Sequence, residues 1–222
     1  MSSTASGFVP LEIPRRSSDE LLARAVSFRE TLASRRSVRE FAPEPVPLEV
    51  LDECVRAAGS APSGANRQPW TFVVITDPAT KRVIREAAEA EEKEFYERRI
   101  TDEWRTALEP FGTTWRKPFL ETAPALIAVF RHAYDVEEGQ KRTNYYTVES
   151  VGIAVGFLIA ALHHAGLATL THTPSPMAFL GSILARPANE KAFVLLPVGY
   201  PASDCLVPAL RKKSLDEIRV RK

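Results

Sequence analysis

The chain has 222 residues and a formal net charge of +1 at pH 7, with 45% hydrophobic and 26% charged residues. This composition is ordinary for one globular domain, and the near-neutral charge gives no reason to expect a nucleic acid or an anionic membrane as partner. Two distant cysteines and four histidines without ligand spacing argue against a disulfide framework and a metal site. The first residues lack the basic and apolar regions of a signal peptide, so we expect a cytoplasmic protein.

Apolar periodicity and Pro and Gly punctuation predict helices and strands that alternate along the chain. Helices are predicted at 18–33, 47–59, 78–106, 147–165 and 176–186. Strands are predicted at 71–76, 124–130, 168–173 and 193–198, and loops at 60–70 and 134–143. This order indicates an α/β or α+β class in which helices cover a central sheet.

Two of the predicted helices have unusual compositions. The 78–106 helix is rich in Glu and Arg and poor in large apolar residues, which suits either a solvated helix face or a mobile lid. The 147–165 helix is almost entirely apolar, but polar residues interrupt both of its ends. A central core or subunit-interface helix is therefore favoured over a membrane span.

Glu92, Tyr96 and Lys117 are the first candidate binding residues. Glu92 and Tyr96 are four residues apart, so they share one face of a helix. A carboxylate can bind the ammonium of a zwitterion such as an amino acid, while an ammonium and a phenol bind its carboxylate. A Glu and a Tyr at this spacing are also common as plain solvated neighbours.

The segment Arg35-Arg36-Ser37-Val38-Arg39 concentrates three guanidinium groups and a hydroxyl. Guanidinium forks match phosphate oxygens, and in an extended segment residues 35, 37 and 39 face the same side. The basic run Arg211-Lys212-Lys213 could close on the same phosphate. A surface basic cluster remains the alternative, and the chain has neither a Rossmann glycine motif nor a P-loop.

Several motifs together resemble the iodotyrosine deiodinase branch of the FMN-dependent nitroreductase superfamily, in its soluble bacterial form. The 35–41 segment is typical of the superfamily, and the features that narrow the resemblance are Glu92, Tyr96, Lys117 and Thr171. The resemblance covers about residues 28–220. The other motifs that carry it are Ala61-Pro62-Ser63-Gly64-Ala65, Gln68-Pro69-Trp70, Trp115-Arg116-Lys117, Asn144-Tyr145-Tyr146, Thr171-His172-Thr173-Pro174 and Leu195-Leu196-Pro197-Val198-Gly199-Tyr200-Pro201.

The resemblance implies a nitroreductase fold of the α+β class. This is a three-layer, α/β/α-like arrangement with a central mixed sheet flanked by helices, assembled as a domain-swapped homodimer with FMN at the interface. Residues 1–27 would form an N-terminal arm and first helix, and residues 28–222 a single FMN-binding domain. Within that domain, residues 78–120 would form the substrate lid.

The resemblance also implies roles for individual residues. Arg35 and Ser37 would bind the FMN phosphate, and Arg39 would lie near the N1–C2 end of the flavin. The Thr171 hydroxyl would lie near flavin N5, and the Ala65 backbone N–H would hold the phenolate oxygen of the substrate. The clamp on the amino-acid end would be Glu92, Tyr96 and Lys117. The remaining FMN contacts would be Arg36, Pro62, Ser63, Gly64, His172, Thr173 and Lys212.

The predicted function is therefore reductive dehalogenation of iodo-, bromo- or chlorotyrosine by one-electron steps from reduced FMN. NAD(P)H or a separate reductase would be the electron source. The alternatives are an NAD(P)H-dependent nitroreductase or quinone reductase that transfers hydride, and a halotyrosine-binding flavoprotein without turnover. A general reductase does not need a zwitterion clamp, whereas only turnover distinguishes the third alternative.

Overall fold

The computed structural model describes residues 7–222, and the chain divides into two units, Met1–Arg35 and Arg36–Lys222. The first unit contains helix α1 (Ser18–Ser34), which starts at a capping box. In that box the Ser17 hydroxyl accepts the Glu20 N–H, and the Glu20 carboxylate accepts the Ser17 N–H. Helix α1 buries none of its own residues, although it carries several exposed apolar side chains.

The second unit is built on a four-stranded sheet in the order β1-β2-β6-β5. The strands are β1 (Trp70–Ile75), β2 (Ala125–His132), β5 (Ala168–Thr169) and β6 (Glu190–Gly199). All three strand pairs are antiparallel, and a parallel bridge between Ser37 and Thr169 makes the sheet mixed. The predicted strand at 168–173 is thus shorter than expected, although the His172 backbone pairs again with Leu195.

Helices cover both faces of this sheet, because β2 and β6 are apolar on both sides. One face packs against α2 (Leu48–Gly59) and α6 (Thr147–His164), through alternate β2 residues such as Ile127 and Val129. The other face packs against α3 (Pro78–Glu94), α5 (Phe119–Thr122) and α7 (Ala178–Ile183), through Leu126 and Phe130. This arrangement confirms the predicted three layers.

The predicted loop at 134–143 is wrong. Its residues form a β-hairpin of β3 (Tyr134–Glu137) and β4 (Gln140–Thr143), paired antiparallel. The two turn residues, Glu138 and Gly139, have φ values of 52° and 77°. Positive φ at both positions is typical of the tight turn that matches the twist of a hairpin.

The predicted helix at 78–106 is not continuous. Helix α3 ends at Glu94, a π-helical turn spans Phe95–Arg99, and α4 (Asp102–Leu108) begins a new helix. The Thr101 side chain caps α4 by accepting the Trp104 N–H at 3.2 Å. A short helix, α8 (Leu215–Ile218), follows in the C-terminal tail.

Helix α6 is the one helix in residues 7–222 that is long and apolar enough to cross a membrane. Such a helix is weak support for a membrane protein, because core helices share these properties. Val151, Leu158 and Leu162 are fully buried against the sheet and α2. The opposite side of α6 exposes Ile153 and Phe157, which are four residues apart and form a short apolar stripe.

Candidate active site

A cavity of about 200 Å³ brings together seven of the predicted site residues. It lies where the end of α3 and the segments after it face the residues that follow β5. The predicted residues that line it are Arg39, Glu92, Tyr96, Lys117, Thr171, His172 and Thr173, and the others are Phe95, Trp104, Leu108, Thr113 and Ser175.

Glu92 and Lys117 form an ion pair inside this cavity. Their Oε2 and Nζ atoms are 3.2 Å apart, and only 5% of the Lys117 side chain and 13% of the Glu92 side chain are exposed. The Lys117 ammonium also lies 5.5 Å from the centre of the Tyr96 ring. The structure therefore joins the three residues that the sequence selected as a zwitterion clamp.

Local contacts explain why Lys117 reaches the clamp from a distant part of the chain. Its ammonium donates to the Thr114 carbonyl at 2.6 Å and to the Thr113 hydroxyl at 3.3 Å. Its backbone N–H donates to the Glu89 carboxylate at 2.7 Å, which fixes it to α3. Arg85 holds Glu89 in turn through an ion pair of 2.8 Å. Glu89 was not among the predicted site residues, although its position three residues before Glu92 places it on the same helix face.

Tyr96 is not in a regular helix but in the π-helical turn after α3. The Ile100 N–H bonds to the Phe95 carbonyl at 2.8 Å, a spacing of five residues. Such turns redirect side chains and often occur at functional sites. The Tyr96 hydroxyl donates to the Thr113 carbonyl at 3.4 Å, so the turn and the segment before Lys117 are tied together.

Burial shifts the pKa values of Lys117 and Tyr96. Desolvation lowers the pKa of Lys117, although the Glu92 carboxylate opposes this change. Desolvation also raises the pKa of Tyr96, with the nearby Glu92 charge adding to the shift. At neutral pH the clamp therefore keeps a protonated phenol beside its ion pair.

The strand register explains how Arg39 comes to lie near Thr171. Ser37 bridges Thr169 in parallel, and the Val38 N–H donates to the Thr169 carbonyl at 3.2 Å. Continuing this register by two residues sets Arg39 opposite Thr171. Desolvation lowers the pKa of Arg39, which faces the cavity.

The Thr171-His172-Thr173 segment alternates between solvent and core. Thr171 and Thr173 are exposed, whereas His172 is buried and contacts the Phe119 ring edge-on. Desolvation, with Lys117 and Arg39 as nearby cations, lowers the pKa of His172 to about 3. A neutral imidazole at physiological pH suits a packing role. Within residues 7–222, its Nε2 atom is buried without a hydrogen-bond partner.

The loop that contains Pro62, Ser63, Gly64 and Ala65 is not part of this cavity's lining. The Gly64 N–H donates to the Ser150 hydroxyl of α6 at 3.4 Å. A Cβ atom on Gly64 would lie 2.8 Å from the Tyr145 carbonyl oxygen, so only glycine fits there. In one chain, the loop therefore belongs to the start of α6 and not to the clamp.

The residues predicted to bind the FMN phosphate do not line this cavity. The Arg36 guanidinium donates to the Pro208 carbonyl, which ties the segment before Arg39 to the C-terminal tail. Lys212 is exposed in that tail. Arg35 is the last residue of the first unit. The FMN-binding roles of these three residues and of Ser37 stay predictions.

No group of three or more His, Cys, Asp and Glu side chains in residues 7–222 is placed to hold a metal ion. Cys54 and Cys205 are both free thiols. The cavity itself offers the Arg39 guanidinium and the Thr171 and Thr173 hydroxyls beside the Glu92–Lys117 ion pair.

Comparison with known proteins identifies the family. A profile of the nitroreductase family matches residues 32–200. The iodotyrosine deiodinase of Haliscomenobacter hydrossis is 53% identical over 214 residues, which are 96% of this chain and 96% of that protein. Iodotyrosine deiodinase 1 of Homo sapiens is 47% identical over 205 residues, 90% of this chain and 70% of that protein.

A solved structure has the same fold. The crystal structure of an oxidized iodotyrosine deiodinase bound to FMN and 3-iodo-L-tyrosine matches with a TM-score of 0.77 and 34% identity, covering 88% of this chain and 99% of that chain. The predicted nitroreductase fold is thus confirmed. The chain belongs to the nitroreductase family of oxidoreductases, and within that family it is similar to the iodotyrosine deiodinases.

Proposed function

We propose that this chain is an FMN-dependent oxidoreductase that reductively deiodinates iodotyrosine to tyrosine and iodide. The observation that carries the proposal is the cavity in which Glu92, Tyr96 and Lys117 lie beside Arg39 and Thr171. The similarity to iodotyrosine deiodinases, one of them bound to FMN and 3-iodo-L-tyrosine, supports it. Bromo- and chlorotyrosine are included, because a clamp on the amino-acid end is indifferent to the halogen.

The donors at this edge of the sheet fit FMN. The Arg39 guanidinium and the exposed hydroxyls of Thr171 and Thr173 supply a cation and two donors side by side, as an electron-rich flavin ring requires. When bound and reduced, FMN would supply two electrons that can be released singly. We assign the remaining contacts as the family resemblance implies, to Arg35, Arg36, Ser37, Pro62, Ser63, Gly64, His172 and Lys212.

The clamp residues would orient the substrate. Glu92 would accept the substrate ammonium, while Lys117 and Tyr96 would donate to its carboxylate. The Ala65 N–H would donate to the phenolate oxygen, where a fixed donor stabilises negative charge. Holding both ends of the molecule fixes the ring that carries the halogen, which lowers the entropic part of the barrier.

Deiodination replaces a C–I bond by a C–H bond, consumes two electrons and one proton, and releases iodide. We propose that the Thr171 hydroxyl would donate a hydrogen bond to flavin N5, which would favour one-electron delivery over hydride transfer. NAD(P)H or a separate reductase would restore the electrons.

We also propose a domain-swapped homodimer, in which each site combines the cavity of one chain with the 62–65 loop of its partner. Two observations support it: the loop does not line the cavity of its own chain, and α6 exposes an apolar stripe. The free thiols agree with a reducing cytoplasm, where we place the protein.

Residues 78–120 remain our proposed lid, but we propose that its moving part is 95–116. Helix α3 buries Ile84 and Ala88 in the core, which anchors it. None of the residues 95–116 is buried, so little apolar surface opposes their displacement.

The test is anaerobic turnover. The purified protein is reduced with dithionite under argon, 3-iodotyrosine is added, and flavin absorbance, tyrosine and iodide are followed. Reoxidation with stoichiometric tyrosine and iodide is expected. Binding without reoxidation, or nitroaromatic reduction by NAD(P)H without any deiodination, would refute the proposal in favour of a binding protein or a general nitroreductase, respectively.

A further inference from the structure

The loop around Ala65 has a strained backbone. Ala65, Asn66 and Gln68 have φ values of 50°, 53° and 48°, and none of them is glycine. L residues adopt this left-handed region at an energetic cost, so the loop needs contacts that hold it there. One contact is internal, from the Gln68 N–H to the Ser63 hydroxyl at 2.9 Å.

Arg67 ties this loop to the β3–β4 hairpin. Its Nη2 atom lies 3.0 Å from Asp135 Oδ2 and 2.9 Å from Glu137 Oε1, and its Nε–H donates to Asn144 Oδ1 at 3.1 Å. Only 25% of the Arg67 side chain is exposed. Three acceptors contact the Nε and Nη2 groups along one edge of the guanidinium, which fixes the side chain more firmly than a single ion pair does.

Asp135, one of the acceptors of Arg67, is itself connected to the central sheet. Asp135 Oδ1 lies 3.2 Å from His132 Nδ1, and His132 Nε2 is hydrogen-bonded to the Thr71 hydroxyl at 2.8 Å. Thr71 also donates to Glu190, which Arg186 holds through two bonds of 2.7 Å. A continuous polar network therefore connects Arg67 to strands β1, β2 and β6.

We propose that Arg67 is a positioning residue for the Ala65 backbone N–H. The inference rests on the proposed function, in which this N–H holds the phenolate oxygen of the halotyrosine. A donor that is already aimed at the oxygen stabilises its charge without reorganisation, whereas a mobile donor must first be ordered. Loss of Arg67 should therefore weaken recognition of the phenolate while the clamp on the amino-acid end stays intact.

The experiment compares Arg67→Gln with Arg142→Gln in the FMN-loaded protein. Arg142 is a matched control, because it lies on the same hairpin and pairs with Glu137 at 3.5 Å, but is 55% exposed and not part of the loop. Affinities for 3-iodotyrosine and for its O-methyl ether, which has no phenolate, are measured by quenching of flavin fluorescence. We expect Arg67→Gln to weaken 3-iodotyrosine binding about tenfold or more and ether binding less than twofold, and Arg142→Gln to change neither.

Equal losses for the two ligands, or no difference between the two variants, would overturn the inference. Hydrogen exchange in residues 61–68 gives a second readout, and should be faster in Arg67→Gln than in Arg142→Gln. If Arg67→Gln does not fold, Arg67→Lys takes its place with an intermediate loss expected, since an ammonium cannot reproduce the fork. If the wild-type protein binds both ligands equally, the proposed role of Ala65 is refuted as well. If the wild type prefers 3-iodotyrosine but Arg67→Gln does not change this preference, only the role of Arg67 fails.

Discussion

Replacing Glu92 by Gln tests the clamp most directly. The change leaves the ammonium of Lys117 buried without its carboxylate, which lies 3.2 Å away in the wild type. Breaking a buried pair by removing one partner costs about 3–5 kcal/mol. Lys117 keeps its bonds to the Thr114 carbonyl and the Thr113 hydroxyl, so we expect the lower end, about 3 kcal/mol, in the free energy of unfolding.

The same substitution should weaken iodotyrosine binding. A hydrogen bond to a charged group contributes about 1.5–3 kcal/mol, which corresponds to a roughly 10- to 150-fold increase in Kd at 1.4 kcal/mol per factor of ten. The affinity for FMN should not change, because Glu92 is not among the proposed FMN contacts.

Glu97→Gln is the matched control. Glu97 lies five residues further along, in the π-helical turn, and forms an exposed ion pair with Lys93 at 3.8 Å. Its loss should cost less than about 1 kcal/mol. Urea unfolding at one fixed protein concentration and iodotyrosine titration of the flavin fluorescence compare the two variants. An iodotyrosine affinity in Glu92→Gln equal to that of Glu97→Gln would refute the clamp.

Three further substitutions have defined outcomes. The folded pKa of His172 is about 3 against 6.5 for the free side chain, so the unfolded chain takes up the proton first and stability is lost as pH falls below 6.5. The free energy of unfolding, measured by urea titration, should fall by about 2 kcal/mol less between pH 6.5 and pH 5 in His172→Gln than in the wild type. An equal fall in both proteins would exclude His172 as its source. Gly64→Ala should destabilise by about 1–3 kcal/mol because its Cβ meets the Tyr145 carbonyl. Gly59→Ala, which has open space around the added Cβ, is the control. Equal unfolding midpoints for the two variants would show that the loop accommodates the Cβ at residue 64. Thr171→Ala should lower the ratio of iodotyrosine turnover to nitroaromatic reduction, and a constant ratio would remove Thr171 from the proposed electron-transfer role.

Local patterns in the sequence predicted most of the fold and grouped two of the three proposed clamp residues. Strands β2 and β6 are apolar on both faces because helices cover both sides of the sheet. Such strands are recognisable in a sequence as nearly continuous apolar runs. The spacing of Glu92 and Tyr96 predicted a shared face, and both residues do line one cavity. The break before α4 had a local signal as well, since Thr101 followed by Asp102 and Glu103 is a typical helix start.

The errors and omissions involve contacts that no local pattern encodes. The β3–β4 hairpin has intermediate or exposed residues on both faces, so it lacks the apolar alternation by which strands are recognised. Glu138-Gly139 was the remaining turn signal. No local pattern marks Arg67, because its acceptors, Asp135 and Asn144, are about seventy residues away along the chain. Lys117 was grouped with Glu92 for its complementary charge and through the family resemblance, and no local spacing predicted the ion pair between them.

The clamp geometry also predicts which ligands are selected. In this structure Glu92 and Lys117 neutralise each other, so neither buried charge is left unpaired. A ligand with only a carboxylate would separate the pair and satisfy Lys117 but not Glu92, and an amine would do the reverse. Leaving a buried charge unpaired costs more than a single new bond returns. A zwitterion supplies both partners at once, so the Glu92–Lys117 ion pair acts against ligands that lack either charge.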